Sequence, residues 1–245
     1  MRSFKGFMVP VLALAAFTAA CDDKDSTGIN TGTTTANVRF VNAISGSSNL
    51  ALTANGSMVG SSQGFGPNST TCSTVNTTSG NSTAFAFGTA NTGGTGISSS
   101  LTSFNQSLSS GGNYTVIATG TSSSPNYIFL NNSPSTSATA GNANLRFVNA
   151  TGTATNFDVF TTSGSSLTTA TAASSGLNGT SNNNTTFMST PIGNNTITFT
   201  TAGSKTPIFS TTASQLSSGG NYTVILLPGA TAGTYQTLLL NSSCS

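Results

Sequence analysis

The chain has 245 residues and a formal net charge of +2, and only 4% of its residues are charged, against about 25% in an average soluble domain. It holds no histidine, tryptophan or glutamate, and beyond Asp25 its charged side chains are Arg39, Arg146, Asp158 and Lys205. That inventory excludes a Ser-His-Asp triad, paired carboxylates for glycoside hydrolysis and a histidine-ligated zinc site, and it offers no basic cluster for nucleic acid.

Residues 1–20 read as a signal peptide. Arg2 and Lys5 give a positive start, Phe7 to Phe17 an apolar run, and Thr18 to Ala20 small residues before Cys21. The run is too short to span a membrane. The order resembles the lipobox of bacterial lipoproteins, in which the cysteine thiol receives a diacylglyceryl group before cleavage. Thr18 stands where that motif usually has leucine. The alternative is ordinary cleavage after Ala20, leaving Cys21 as a spare thiol. With lipid on Cys21, the other cysteines, Cys72 and Cys244, form an even pair and a disulfide candidate in an oxidising compartment; otherwise they are two thiols that never meet. The expected partner is then the membrane, through the anchor at Cys21, and the expected location the bacterial cell envelope, extracytoplasmic, at the outer membrane or cell surface.

Residues 21–35 are polar and rich in Thr and Gly, the composition of a flexible tether. Asp22, Asp23 and Asp25 lack the alternating oxygen ligands, turn glycine and closing glutamate of a calcium loop, so they read as solvated linker.

A duplication follows. ANVRFVNA (36–43) returns as ANLRFVNA (143–150), and LSSGGNYTVI (108–117) returns letter for letter as 216–225. NYIFLNN from Asn126 parallels TYQTLLLN from Thr234, aligning Tyr127 with Tyr235. NSTAFAF from Asn81 parallels NTITFTT from Asn195, with six residues more before the tyrosine of the decapeptide. These anchors alternate and are rich in β-branched and aromatic residues, and Gly, Ser and Asn runs separate them. About six or seven short strands per copy predict an all-β chain of two tandem immunoglobulin-like β-sandwich domains. The expected boundaries are 36–135 for the first repeat, 136–142 for a linker and 143–245 for the second.

In the decapeptide, Gly111–Gly112 and Gly219–Gly220 supply a tight turn, with positive φ at one position. Tyr114 and Tyr222 then open a strand. Each ring is read as a buried support whose hydroxyl bonds nearby backbone; the other reading is an exposed ring for stacking sugars. Arg39 and Arg146 occupy matched places on the first strand of each copy. They read either as a repeated anion site or as side chains whose stems cover apolar surface while their heads bond loop carbonyls.

These residues carry a family resemblance. VRFVNA, a Phe-Asp-Val-Phe strand and a Gly-Tyr-Thr-Val-Ile segment resemble the domain of unknown function 4397 family, at about residues 36–135 and 143–242. The resemblance implies extracytoplasmic bacterial domains with a β-sandwich fold, often in tandem on secreted or lipid-anchored proteins. The histidine-like residue of that family is replaced by Asn42 and Asn149, and its second-strand aspartate survives as Asp158 but is Ala51 in the first copy.

Lys205 has Ala202 three residues before it, so no S-x-x-K nucleophile motif exists, and no G-x-x-x-x-G-K-[ST] loop is present. No catalytic residue, metal ligand or cofactor is expected. The expected function is a non-catalytic, surface-anchored lipoprotein with an adhesion, matrix or envelope structural role; the alternative is a carbohydrate- or small-ligand-binding lipoprotein. With so little charge to guard strand edges, self-association is an expected property, beside a surface glycan or protein partner.

Overall fold

The computed structural model describes residues 33–68, 71–78, 82–164 and 166–244. The expected signal peptide, Cys21 and the expected tether as far as residue 32 lie outside the described residues. Thr33, Thr34 and Thr35, expected as tether, are instead the start of a strand. They pair with Thr78, Thr77 and Asn76, and β-branched threonines suit an extended backbone as well as they suit a linker.

All the regular structure is β. In the first repeat one sheet has the order β4 (Ser73–Thr78), β1 (Thr33–Asn42), β7 (Asn113–Gly120), β8 (Pro125–Asn131). The other has the order β3 (Ser57–Met58), β2 (Leu50–Ala54), β5 (Ser82–Ala90), β6 (Ile97–Ser107). The second repeat reproduces both. One sheet is β12 (Met188–Pro191), β9 (Asn142–Asn149), β15 (Asn221–Pro228), β16 (Tyr235–Asn241), and the other β11 (Ser174–Leu177), β10 (Phe157–Thr162), β13 (Gly193–Thr201), β14 (Pro207–Leu216). The result is two sandwich-like units of eight strands each. The strands beyond the expected six or seven are short or solvent-facing ones, such as β3 and β4. A strand of Ser, Thr and Asn with one wet face carries no apolar alternation to announce it.

Each first strand pairs in parallel with the seventh of its own repeat, Val38 opposite Tyr114 and Leu145 opposite Tyr222. The core of the first repeat gathers Val38, Phe40, Leu52, Phe85, Phe87 and Val116; that of the second gathers Leu145, Phe147, Val159, Ile197, Phe199 and Val224.

Register corrects two of the alignments between copies. Phe87 faces Leu52 as Phe199 faces Val159, so Phe85 matches Ile197 and Asn81 matches Gly193, two residues from Asn195. Tyr127 faces Ala118, whereas Leu226, the residue equivalent to Ala118, faces Thr237. Tyr127 therefore matches Thr237, and Tyr235 matches Pro125. Both slips are of two residues, which leaves every side chain on its own face of the strand.

The outer faces of β1, β7 and β8 are apolar as well. Val41, Ala43, Ile117, Ile128 and Leu130 meet Val148, Ala150, Ile225, Leu227, Leu238 and Leu240 of the second repeat in a third buried cluster. The two sandwiches thus stack sheet against sheet. The segment 136–142 is tied into this stack: Asn144 Nδ2 donates to Thr136 O (2.9 Å), Gly141 N to Ser218 Oγ (3.0 Å) and Ile192 N to Gly141 O (3.1 Å). Its last residue, Asn142, opens β9.

Cys72, just before β4, is bonded to Cys244, just after β16, with a Cα–Cα distance of 5.5 Å and a sequence separation of 172. The bridge ties the first repeat to the end of the second. Cross-linking so long a loop removes unfolded-state entropy worth up to about 5 kcal/mol. Replacing Cys72 by Ser is expected to lower the urea midpoint of the chain. Reductant should bring the unmodified protein to the midpoint of the variant and leave the variant where it was.

Candidate functional site

Each repeated side chain has a defined place. In the decapeptide, Gly111 and Gly219 adopt φ of +70° and +80°, the left-handed region open to glycine. The next glycine is required for a different reason. A Cβ on Gly112 would lie 2.7 Å from the ring of Tyr114, and one on Gly220 2.6 Å from that of Tyr222. The rings are buried, and Ser109 N donates to the Tyr114 hydroxyl (2.8 Å) as Ser217 N donates to that of Tyr222 (3.0 Å). Asn113 Oδ1 accepts from Asn37 (3.1 Å), and Asn221 Oδ1 from Asn144 (2.8 Å), joining the first strand to the seventh in each copy.

The two arginines reach across the interface between repeats. Arg39 Nη1 donates to the carbonyl of Asn241 (2.8 Å), and Arg146 Nη1 to that of Asn131 (2.8 Å). Asn131 and Asn241 are equivalent, since they face Tyr114 and Tyr222. The contact is therefore reciprocal, as in an isologous dimer interface, but within one chain. Among the described residues no carboxylate balances either guanidinium. Burial lowers the pKa of both arginines, that of Arg146 to about 10, so that Arg146 remains cationic at neutral pH.

The two sites have diverged. Arg146 Nη2 also donates to Asn132 Oδ1 (2.8 Å) and Thr223 Oγ1 (3.0 Å), and its guanidinium lies 4.5 Å from the centre of the Phe187 ring. Arg39 Nε is buried without a partner. The residue equivalent to Asn132 is Ser242, which is shorter and bonds Thr223 (3.1 Å). Ser73 faces Val38 as Met188 faces Leu145, so Cys72 occupies the place of Phe187. One end of the interface closes with a disulfide and the other with a cation–ring contact.

The remaining described charges also hold backbone. Asp158 accepts from Gly176 N (3.0 Å) and Gly203 N (2.7 Å). Lys205 Nζ donates to the carbonyls of Leu167 and Ala170 and lies 4.6 Å from the centre of the Phe160 ring. Asn42 and Asn149 are buried; Asn42 Oδ1 accepts from Ile44 N (3.0 Å) and Asn149 Oδ1 from Thr151 N (3.0 Å). Among the described residues no three His, Cys, Asp or Glu side chains gather where they could hold a metal ion.

The feature that sequence reading missed is a cleft of about 490 Å³ at one end of the inter-repeat interface. Ser45, Gly120 and Thr121 line it from the first repeat, and Thr151, Thr153 and the hairpin of residues 229–234 from the second. That hairpin has six residues between β15 and β16, where the first repeat has four, 121–124, between β7 and β8. The signal was present in the chain. Aligning Leu130-Asn131-Asn132 with Leu240-Asn241-Ser242, instead of tyrosine with tyrosine, exposes the two-residue insertion.

A family model described as a domain of unknown function (DUF4397) matches residues 36–160. The chain belongs to that family. The DUF4397 match runs through the whole first repeat and on through β9 and most of β10, to Phe160, instead of falling as one span on each copy. It contains both arginines, Tyr114 and Asp158, while Tyr222 and the hairpin of residues 229–234 lie beyond it. No curated protein matches the chain.

The bond sets of the two arginines predict unequal costs. Arg146→Ala should lower stability by about 3 kcal/mol and Arg39→Ala by about 1 kcal/mol, the difference arising from charge-assisted bonds that Arg39 does not make. Urea unfolding of the two variants measures it, and equal losses would contradict this account of the interface.

Proposed function

We propose that the chain is a non-catalytic lipoprotein, anchored through acyl chains on Cys21 to the extracytoplasmic face of a bacterial envelope, at the outer membrane or cell surface, and serving an adhesive, matrix or envelope structural role. The observation that carries this reading is the Cys72–Cys244 bond. It fits an oxidising compartment, and it leaves Cys21 as the one cysteine outside that bond, directly after small residues and an apolar run. Several acyl chains on one residue, each contributing about 0.8 kcal/mol per buried methylene, make a durable anchor.

A structural role is supported by how the charged groups are used. Arg39, Arg146, Asp158 and Lys205 all hold backbone groups in place, a use of scarce charge that fits a structural role. The second repeat, which has the strand order of the first, is read as a second DUF4397 copy. Self-association is part of the proposal. The outer strands β6 and β14 end their sheets without a neighbour, and neither carries the charged side chains that usually guard an edge.

Cys21→Ala is expected to abolish palmitate labelling in cells and to move the protein from the membrane fraction to the soluble one. Retention of label or membrane attachment would refute the anchor. Sedimentation velocity of residues 22–245 with an intact disulfide should show concentration-dependent association, and a monomer throughout would refute that part of the reading.

A further inference from the structure

The cleft between the repeats has a composition that selects its ligand. Among the described residues no charged side chain lines it; Ser45, Thr121, Thr151, Thr153, Thr231 and Thr234 do, together with Pro228, Ala230, Ala232, glycine backbone and the half-buried Tyr235. Ser45, Thr151 and Thr234 already donate to Gly229 O, Asn149 Oδ1 and Thr231 O, so their oxygens face a ligand as acceptors, the role to which a sugar hydroxyl donates. An ionic ligand would leave water here with no counter-charge to replace its hydration. The Tyr235 ring packs against the core of the second repeat, edge-on to Phe157 with 5.5 Å between centres, and its hydroxyl takes no hydrogen bond from the described residues.

The walls are preformed. A Cβ on Gly152 would lie 2.6 Å from the Gly120 backbone, so only glycine lets the repeats meet here. Thr119 Oγ1 donates to Ala150 O (2.9 Å), and Ser45 Oγ to Gly229 O (3.4 Å), across the same junction. The hairpin wall is one of the places where the duplicated copies differ in length, and residues 230–234 stand exposed. Packing does not explain an insertion that buries nothing, whereas binding sites sit on such loops over a rigid scaffold.

We infer that this inter-repeat cleft binds an uncharged, polyhydroxylated ligand, a sugar unit of a neutral glycan. Hydroxyls and glycine peptides bond the sugar hydroxyls, and Tyr235 supplies an apolar surface edge and one further hydrogen bond. A volume of about 490 Å³ falls within the range of small-molecule sites. This inference stands apart from the anchoring and the self-association proposed above.

The test is titration of the disulfide-intact chain, residues 22–245, by protein-observed NMR. The uncharged probes are glucose, maltose, cellobiose, lactose and chitobiose; the contrasting probes are glucuronic acid, glucosamine and an acetylated, amidated trialanine. At least one uncharged sugar should bind with a Kd of about 1 mM or tighter, with shifts centred on Thr153, Thr231 and Tyr235, and the charged sugars and the peptide should bind more weakly. Tyr235→Phe should weaken binding about fivefold, the effect of one hydrogen bond, and Ala230→Phe should abolish it by filling the cleft at unchanged melting temperature. Should Ala230→Phe lower the melting temperature, deletion of Ala232 and Gly233, which restores the hairpin length of the first repeat, takes its place with the same expected loss. The inference is overturned if no uncharged sugar binds a natively melting chain, if binding survives the filled or shortened cleft, or if glucuronic acid, glucosamine or the peptide is preferred.

Discussion

The four strands β1, β7, β9 and β15 are buried on both faces, and the rest of the structure answers to that. An antiparallel sheet at a surface keeps one face wet; these central sheets have none to spare. Val38 and Phe40 point into the first core while Val41 and Ala43 point away from it, and Leu145 and Phe147 are placed against Val148 and Ala150 in the same way. The outer sheet of each repeat covers one face. What covers the other is the equivalent face of the second copy. Duplication here supplies a structural need, because a single repeat would leave Val41, Ile117, Ile128 and Leu130 as an apolar patch of the kind that drives association.

That arrangement accounts for the arginines. Residues 39 and 146 lie on the outward face of their strands, beside the third core, and each finds the carbonyl at the end of the last strand of the opposite repeat. Their neutral acceptors cost less desolvation than a buried carboxylate would. The asymmetry between Asn132 and Ser242, and between Cys72 and Phe187, shows the copies settling the same contact by different chemistry. A bond spanning 172 residues then stabilises the stack from its ends, in a chain with almost no charge available for surface ion pairs.

Parts of the site were legible before any coordinates. The recurrence of LSSGGNYTVI marks a conformation that both copies need, and the tyrosine hydroxyls and paired glycines supply it. Arg39 and Arg146 bond carbonyls of the strand residues Asn241 and Asn131 instead of the loop carbonyls expected, and nothing in one copy names the other as the acceptor. Phe187 was invisible because it belongs to a segment without periodicity, and Asn132, which ends the anchor NYIFLNN, because strand alternation does not name a side chain's partner. The cleft was invisible because cavities form between elements distant in sequence; Ser45 and Gly229 are 184 residues apart.

The amino-acid sequence by itself determined the fold class, the duplication and the face on which each core residue lies, because side chains alternate with a period of two and repeated segments keep their offset. It could not determine register. A shift of two residues preserves every face, so Tyr127 with Tyr235 and Asn81 with Asn195 looked like correct partners until the hydrogen-bonded neighbours were known. Tertiary structure alone decided that the sandwiches share a third core, that the arginines exchange partners across it, and that a two-residue insertion opens a cleft there. These are contacts between surfaces, and the strand pattern records which surfaces are apolar without recording what they meet.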